Sequence, residues 1–73
     1  MVTFRNAFGK YVWEGDGKYL SFWRSVHKRR WCWCTMQISP SFKKPGIQRI
    51  EGWCRTMKEA RAEVLTQSRN LGH

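Results

Sequence analysis

The sequence predicts a small α+β domain, in which an antiparallel meander of three to four strands is followed by one C-terminal helix packed on one face of the sheet. Segments rich in aromatic and β-branched residues fill 10–53, and a helix-start pattern comes only after them. The connections between the segments are short, which favours a meander. Because 73 residues supply apolar material for one core, we expect a single domain over 1–73.

The first half of the chain predicts a hairpin. Residues 1–9 show no clear period and are expected to form an irregular arm. Lys10–Glu14 is the first predicted strand, and the turn at 15–17 (GDG) closes it because Asp and Gly tolerate positive φ. Lys18–Val26 is the second strand, and the polar residues 27–30 interrupt the pattern.

The third predicted strand, Trp31–Ser39, has the strongest strand composition, and Pro40 ends it. Residues 41–46 (SFKKPG) predict a basic loop, and Ile47–Trp53 predicts the last strand.

A helix is predicted over 57–70, with Gly72 as its stop. Thr56 and Glu59 form a capping-box pattern, in which each side chain can satisfy the other residue's backbone N–H. Four apolar residues recur at helical spacing and are expected to lie on the sheet. They are Met57, Ala60, Val64 and Leu71.

Charge is the strongest bulk signal. Fourteen Lys and Arg residues against five Asp and Glu residues give a net charge of +9. The stretch from Arg24 to Arg49 contains seven basic residues and no acidic one. Such a field attracts polyanions, with nucleic acid first, an anionic membrane second and an acidic protein surface third. A solvated positive face without a partner is the plain alternative.

Cellular location follows from what the sequence lacks. No apolar run is long enough to span a bilayer, and the N-terminus has no apolar signal-peptide core. Three Cys residues, an odd number, fit a reducing compartment rather than a disulfide framework. We therefore expect a cytoplasmic protein without a membrane partner.

Strand alternation predicts which side chains share a face of the sheet. One set of alternating side chains is mainly aliphatic or small and is expected to face the helix. It includes Leu20, Phe22, Val26, Cys32, Cys34, Met36 and Ile38. In that case six aromatic residues lie on the uncovered face. They are Tyr11, Trp13, Tyr19, Trp23, Trp31 and Trp33. An aromatic patch of that size usually marks a binding site. Two alternatives stay open: the phase is reversed, with Trp residues in the core, or the N-terminal arm covers part of the face.

The span Tyr19–Asn70 resembles the three-stranded sheet plus helix of plant ethylene-response-factor DNA-binding domains and of the arm-binding N-terminal domains of tyrosine recombinases. The similar elements are a basic first strand (19–30), a second strand opening with Trp-Cys-Trp (31–33) and an Ile-rich third strand (47–50). Residues 52–60 (GWCRTMKEA) are similar to the family's Gly-x-x-x-Thr-x-x-Glu-Ala passage into the helix.

The resemblance implies that the sheet lies in the major groove of DNA, with Arg and Trp residues making the contacts. The positions it nominates are Trp23, Arg24, Arg30, Trp31, Trp33 and Arg49. The cysteines, the extra strand at 11–13 and the long connection at 39–45 depart from the family's pattern.

Together these patterns predict a nucleic-acid-binding protein whose ligand is double-stranded DNA rather than RNA, of the accessory or regulatory kind encoded by phages and mobile elements. The predicted binding residues are Trp23, Arg24, Lys28, Arg29, Arg30, Trp31, Trp33, Lys43, Lys44 and Arg49. The rival hypothesis is a protein-interaction module, such as a phage-type inhibitor of a host protein, or a homodimer that buries the aromatic face.

Other chemistries receive little support from the sequence. His27 and the three Cys residues are potential zinc ligands, but Cys32 and Cys34 lack the two-residue spacing of a zinc knuckle. Glu59 is assigned to its cap, and no third group orients a Cys–His pair for nucleophilic attack. We therefore expect no metal, no cofactor and no enzymatic activity.

Overall fold

The computed structural model describes residues 2–38 and 46–70. It confirms the α+β class, the antiparallel meander and the C-terminal helix, with five strands instead of three to four. The elements are β1 (Arg5–Ala7), β2 (Lys10–Gly15), β3 (Lys18–Ser25), β4 (Arg30–Ile38), β5 (Ile47–Cys54) and α1 (Met57–Asn70). The predictions for Pro40, Lys43, Lys44, Leu71 and Gly72 and for the loop at 41–45 lie outside the described residues.

The additional strand comes from the predicted irregular arm. Arg5–Ala7 pairs with β2 through a two-residue turn at Phe8 and Gly9, whose φ angles are 56° and 83°. The side-chain oxygen of Asn6 accepts a hydrogen bond from the Gly9 N–H at 3.0 Å. A bulky residue such as Phe8 rarely takes positive φ, so little in the sequence indicated this turn.

The next two turns determine the register of the sheet. The turn between β2 and β3, predicted over 15–17, consists of Asp16 and Gly17, with φ angles of 50° and 73°, because Gly15 belongs to β2. A four-residue turn at 26–29 joins β3 to β4. Val26 was expected in the core, but it lies in this turn and is 79% exposed, because β3 ends at Ser25.

The core lies between α1 and one face of the sheet. It consists of Leu20, Phe22, Trp33, Ala60 and Val64. Aromatic rings extend it, because Tyr11 stacks on Phe22 with ring centroids 4.9 Å apart. The N-terminal segment also covers this face, with the Phe4 ring set edge-on to Phe22 at 4.8 Å. Aromatic side chains thus supply much of the buried area that a 73-residue chain needs.

The helix has the predicted bounds and a modified cap. The Glu59 N–H donates to Thr56 Oγ1 at 3.2 Å, while the Thr56 hydroxyl donates to Glu59 Oε1 at 3.2 Å. The carboxylate therefore binds the hydroxyl instead of a backbone N–H. At the other end, Lys18 Nζ donates to the Ser68 carbonyl at 3.0 Å, which places a positive charge at the helix C-terminus.

Gly52 accommodates the indole of Trp33, its cross-strand neighbour. A Cβ atom at Gly52 would lie 2.7 Å from Cζ2 of Trp33, and this ring is buried and has little room to shift. Gly46 provides a matched control, because a Cβ atom there would meet nothing within 4 Å.

We predict that Gly52→Ala lowers the free energy of unfolding by about 1–3 kcal/mol, the usual cost of overpacking a core. Gly46→Ala should leave it nearly unchanged. Chemical denaturation followed by circular dichroism measures both variants. Equal stabilities for the two variants would contradict the packing of Trp33 on Gly52.

Candidate nucleic-acid interface

The face of the sheet opposite α1 carries the side chains that alternate away from the core. We call it the open face. Its main members, read from the strand registers, are Arg5, Lys10, Val12, Glu14, Tyr19, Ser21, Trp23, Arg30, Cys32, Cys34, Met36, Ile47, Arg49, Glu51 and Trp53.

Four of the six aromatic residues predicted for the uncovered face lie on the other face. Tyr11, Trp13, Trp31 and Trp33 pack in or against the core, while Tyr19 and Trp23 lie on the open face as predicted. The reversed-phase alternative therefore holds for β2 and β4. The physical reason is the even-numbered turns, which place the odd residues of β2 and β4 opposite the even residues of β3.

The same reversal places the small residues of β4 on the open face. Cys32, Cys34 and Met36 were expected to face the helix, yet they lie on the opposite face, across from Trp23, Ser21 and Tyr19 of β3, and of the three only Cys34 is buried. Val12 was likewise expected to face the helix, and it lies opposite Ser21 on the other face, where both side chains are buried. Short side chains therefore form the middle of the open face, and the large rings rise beside them.

Trp53 is a site residue that the sequence analysis missed. It lies on the open face of β5, opposite Cys32, and is 55% exposed. The strand was predicted, but the phase of its alternation was not assigned. Ile50 could have indicated the face of Trp53. It packs against the core, and in a strand a residue three positions later lies on the opposite face.

Two cations lie over the rings of the open face. Lys10 Nζ is 4.6 Å from the centroid of the Trp23 ring, and the guanidinium carbon of Arg30 is 4.4 Å from that of Trp53. Lys10, Trp23 and Trp53 belong to one cross-strand row, with Cys32 between the two indoles. We call Lys10, Trp23, Arg30 and Trp53 the cation–aromatic row. Each cation–π contact at an exposed site contributes about 0.5–1 kcal/mol, enough to bias the position of a long side chain.

A shallow cleft of about 380 Å³ lies along this row. Its lining includes Trp23, Lys28, Arg30, Cys32 and Trp53. Lys28 comes from the exposed turn between β3 and β4, next to Arg29. The structure therefore brings together Trp23, Lys28 and Arg30 from the predicted site and adds Lys10 and Trp53.

The other predicted residues that the structure describes lie outside the cleft, except Trp33, whose side chain also borders it. Trp31 and Trp33 belong to the helix side, and Arg24 lies opposite Trp31 on that same side. Arg49 is on the open face, but its guanidinium contacts the Glu51 carboxylate at 2.8 Å. A hydrogen bond to Cys34 and, at alkaline pH, the negative charge of the Cys34 thiolate raise the pKa of Arg49, and Glu51 raises it further. Glu51 is thus a local counter-charge for Arg49.

The three cysteines are divided between the two faces of the sheet. Cys32 and Cys34 are on the open face, whereas Cys54 lies opposite Trp31 on the helix side. Within 2–38 and 46–70, no group of three or more His, Cys, Asp or Glu residues is placed to hold a metal ion. Burial raises the pKa of the Cys54 thiol, and the charges of Glu59 and Glu63 raise it further.

Among the described residues, no helix combines the length and apolar character needed to cross a membrane. Comparison of the chain with protein-family models, with curated proteins and with solved structures found no match. The function is therefore inferred from the geometry of the open face.

The raised pKa of Cys54 gives a pH-dependent prediction. A raised pKa means less thiolate at neutral pH, so alkylation of Cys54 in the folded protein should reach half its limiting rate at a higher pH than alkylation of the same thiol in the unfolded chain. Peptide mapping by mass spectrometry follows the label on each cysteine across a pH series. The urea-unfolded chain is the control, and an identical midpoint in the folded and unfolded chains would contradict the prediction.

Proposed function

We propose that this protein binds double-stranded DNA through the open face and acts by binding rather than by catalysis. The observation that carries the proposal is the cation–aromatic row, in which Lys10 and Arg30 are held over Trp23 and Trp53 on the side of the sheet that α1 leaves uncovered. Trp53 is exposed and Lys10, Trp23 and Arg30 are half-buried, so the row combines phosphate-binding charges with apolar surface for the sugars of a duplex.

Charge supports a polyanionic ligand. The whole chain carries +9, and Lys28 and Arg29 extend the positive charge of the row into the exposed turn. Counterion release from a polyanion favours such a surface without requiring a specific sequence. Acidic residues do occur on the open face, but Glu51 is bound to Arg49, and Glu14 lies 3.8 Å from Arg5.

The position of the cations favours a duplex over an unpaired strand. A base that stacked on Trp23 or Trp53 would compete with the cation that already lies over the ring. Phosphate oxygens need no such displacement, because the ammonium and guanidinium groups can bind them where they stand. Contact with the backbone and groove edges of a duplex therefore requires no rearrangement of the cations in the row.

Arg30 is the group best placed for a directional contact. Its guanidinium carbon lies 4.4 Å from the Trp53 ring centroid, which restrains the side chain before any ligand arrives. A restrained guanidinium can donate two parallel hydrogen bonds to a phosphate or to O6 and N7 of guanine. Restraint before binding lowers the entropy cost of forming that contact.

An accessory or regulatory role at DNA fits a protein that binds without chemistry. Its size allows one such surface per chain, and specificity would come from the few side chains that reach a groove.

If the open face binds DNA, the double variant Lys10→Gln/Arg30→Gln should lose at least about tenfold in affinity for duplex DNA. The slope of log affinity against log salt should also become shallower by about two, because two phosphate contacts are lost. Fluorescence anisotropy of labelled DNA in a salt series measures both quantities.

A matched control removes the same charge from the other side of the molecule. Lys58 and Arg69 lie exposed on α1, so Lys58→Gln/Arg69→Gln also changes the net charge by two. We expect this control to lose much less affinity. If both double variants weaken binding equally, DNA contacts the general positive charge and not the open face.

The nature of the ligand is tested with single-stranded DNA and double-stranded RNA of the same length. Tighter binding of duplex DNA, with a change in Trp emission that Trp53→Leu reduces, is the expected result. Preference for the single strand would reassign the row to base stacking. Absence of binding to all three at low salt would overturn the proposal and favour the protein-interaction hypothesis.

A further inference from the structure

The outer edge of the sheet at β5 has a self-complementary sequence. β5 is the last strand in the order and is eight residues long, whereas β1 at the other edge has three. Long edge strands usually carry Lys or Pro residues that prevent pairing with another chain. Ile47–Cys54 contains neither residue, so the strand is suited to pairing with an equivalent strand.

We propose that two copies of the protein pair antiparallel through β5, with Ile50 of one chain opposite Ile50 of the other. In this register Arg49 lies opposite Glu51 of the second copy, and Glu51 lies opposite its Arg49. The contact is isologous, as expected of a two-fold dimer. Opposite charges directly across a strand pair stabilise it, and like charges destabilise it.

The charges select this register over its neighbours. Only some alternative registers keep the open faces of the two chains on the same side of the joined sheet. The nearest such register in one direction would place Arg49 of one chain opposite Arg49 of the other. The equivalent shift in the other direction would place Glu51 opposite Glu51. Within each chain Arg49 and Glu51 already form a 2.8 Å ion pair with both side chains more than half exposed. Arginine has five N–H donors and a carboxylate accepts several hydrogen bonds, so each side chain can bind both partners.

The exposed apolar residues of β5 pair in the same register. Ile47 and Trp53 are 68% and 55% exposed, and both lie on the open face. Because they are equidistant from Ile50, Ile47 of each chain would lie opposite Trp53 of the other. The pairing would therefore place two exposed apolar side chains side by side across the new strand pair, on a face that stays open.

The helices leave room for this arrangement. The core residues of α1 pack over β3 and β4, inward from the edge. With strands about 4.8 Å apart, the two helices would be separated by about 19 Å on the same side of a ten-stranded sheet. The two open faces would be continuous on the other side. This dimer differs from one that buries the aromatic face.

Charge reversal tests the pairing directly. Arg49→Glu gives four negative charges at the centre of the dimer, and Glu51→Arg gives four positive ones, so each single variant should be monomeric. The double variant Arg49→Glu/Glu51→Arg restores opposite charges and should dimerise. Sedimentation equilibrium over a concentration series, with a reductant present, should give twice the 8.8 kDa of one chain for the wild type and the double variant.

Mixing the two single variants gives the sharpest result. The two carboxylates at the centre of the Arg49→Glu strand would then face the two guanidinium groups of the Glu51→Arg strand, so an equimolar mixture should recover the dimer mass. Recovery cannot come from the intrachain ion pair, which each single variant lacks. A monomeric wild type at every concentration, or single variants that dimerise like the wild type, would overturn the proposal.

A further variant avoids the ion pair altogether. Ile47→Lys changes an exposed side chain outside the core and should weaken the dimer while leaving the fold intact, as circular dichroism will show. Because these measurements contain no DNA, their failure is distinguishable from failure of the proposed DNA binding.

Discussion

The number of residues in each turn determines which face of the sheet every side chain occupies. The turns at 8–9, 16–17 and 26–29 contain two, two and four residues, so odd positions in one strand lie opposite even positions in the next. Once Leu20 and Phe22 are buried by the helix, Trp13 and Trp33 must share their face. Both the core and the open face follow from this single constraint of antiparallel pairing.

A thin core explains why the helix side takes the indoles. One helix of 14 residues covers the sheet, and buried area per residue is greatest for aromatic side chains. The Trp33 ring occupies the space that a side chain at Gly52 would need. Phe4 packs against Phe22 at the edge of the core next to α1. The open face then receives short side chains in its middle, where Val12, Ser21 and Cys34 are buried, and the half-buried to exposed side chains of the cation–aromatic row lie next to them. Packing on one face thereby shapes the surface of the other.

The sequence predicted what depends on local interactions. Strand bounds came out close to those observed, and the helix bounds matched, because turn residues, the Thr56 cap and β-propensity act over a few residues. Face assignment failed in β2 and β4 because aliphatic residues were assumed to be the buried set. The two-residue turn at Asp16 and Gly17 contained enough information to place Trp13 beside Leu20. No such rule was available for β5, which follows a long connection. The resemblance to ethylene-response-factor and recombinase domains stays a prediction.

The basic residues fall into two groups, according to whether a negatively charged or carbonyl group of the protein already binds them or they remain available to a ligand. Arg49 is engaged by Glu51, within the strand or across a β5 pair, and Lys18 is engaged by the end of α1. Lys10 and Arg30 have aromatic rings as partners, and a ring leaves the positive charge available to an anion. A two-fold pairing of β5 would present two such rows on one surface, related by the same symmetry as the backbone of duplex DNA. A single strand has no such symmetry, so dimerisation and duplex binding would favour each other.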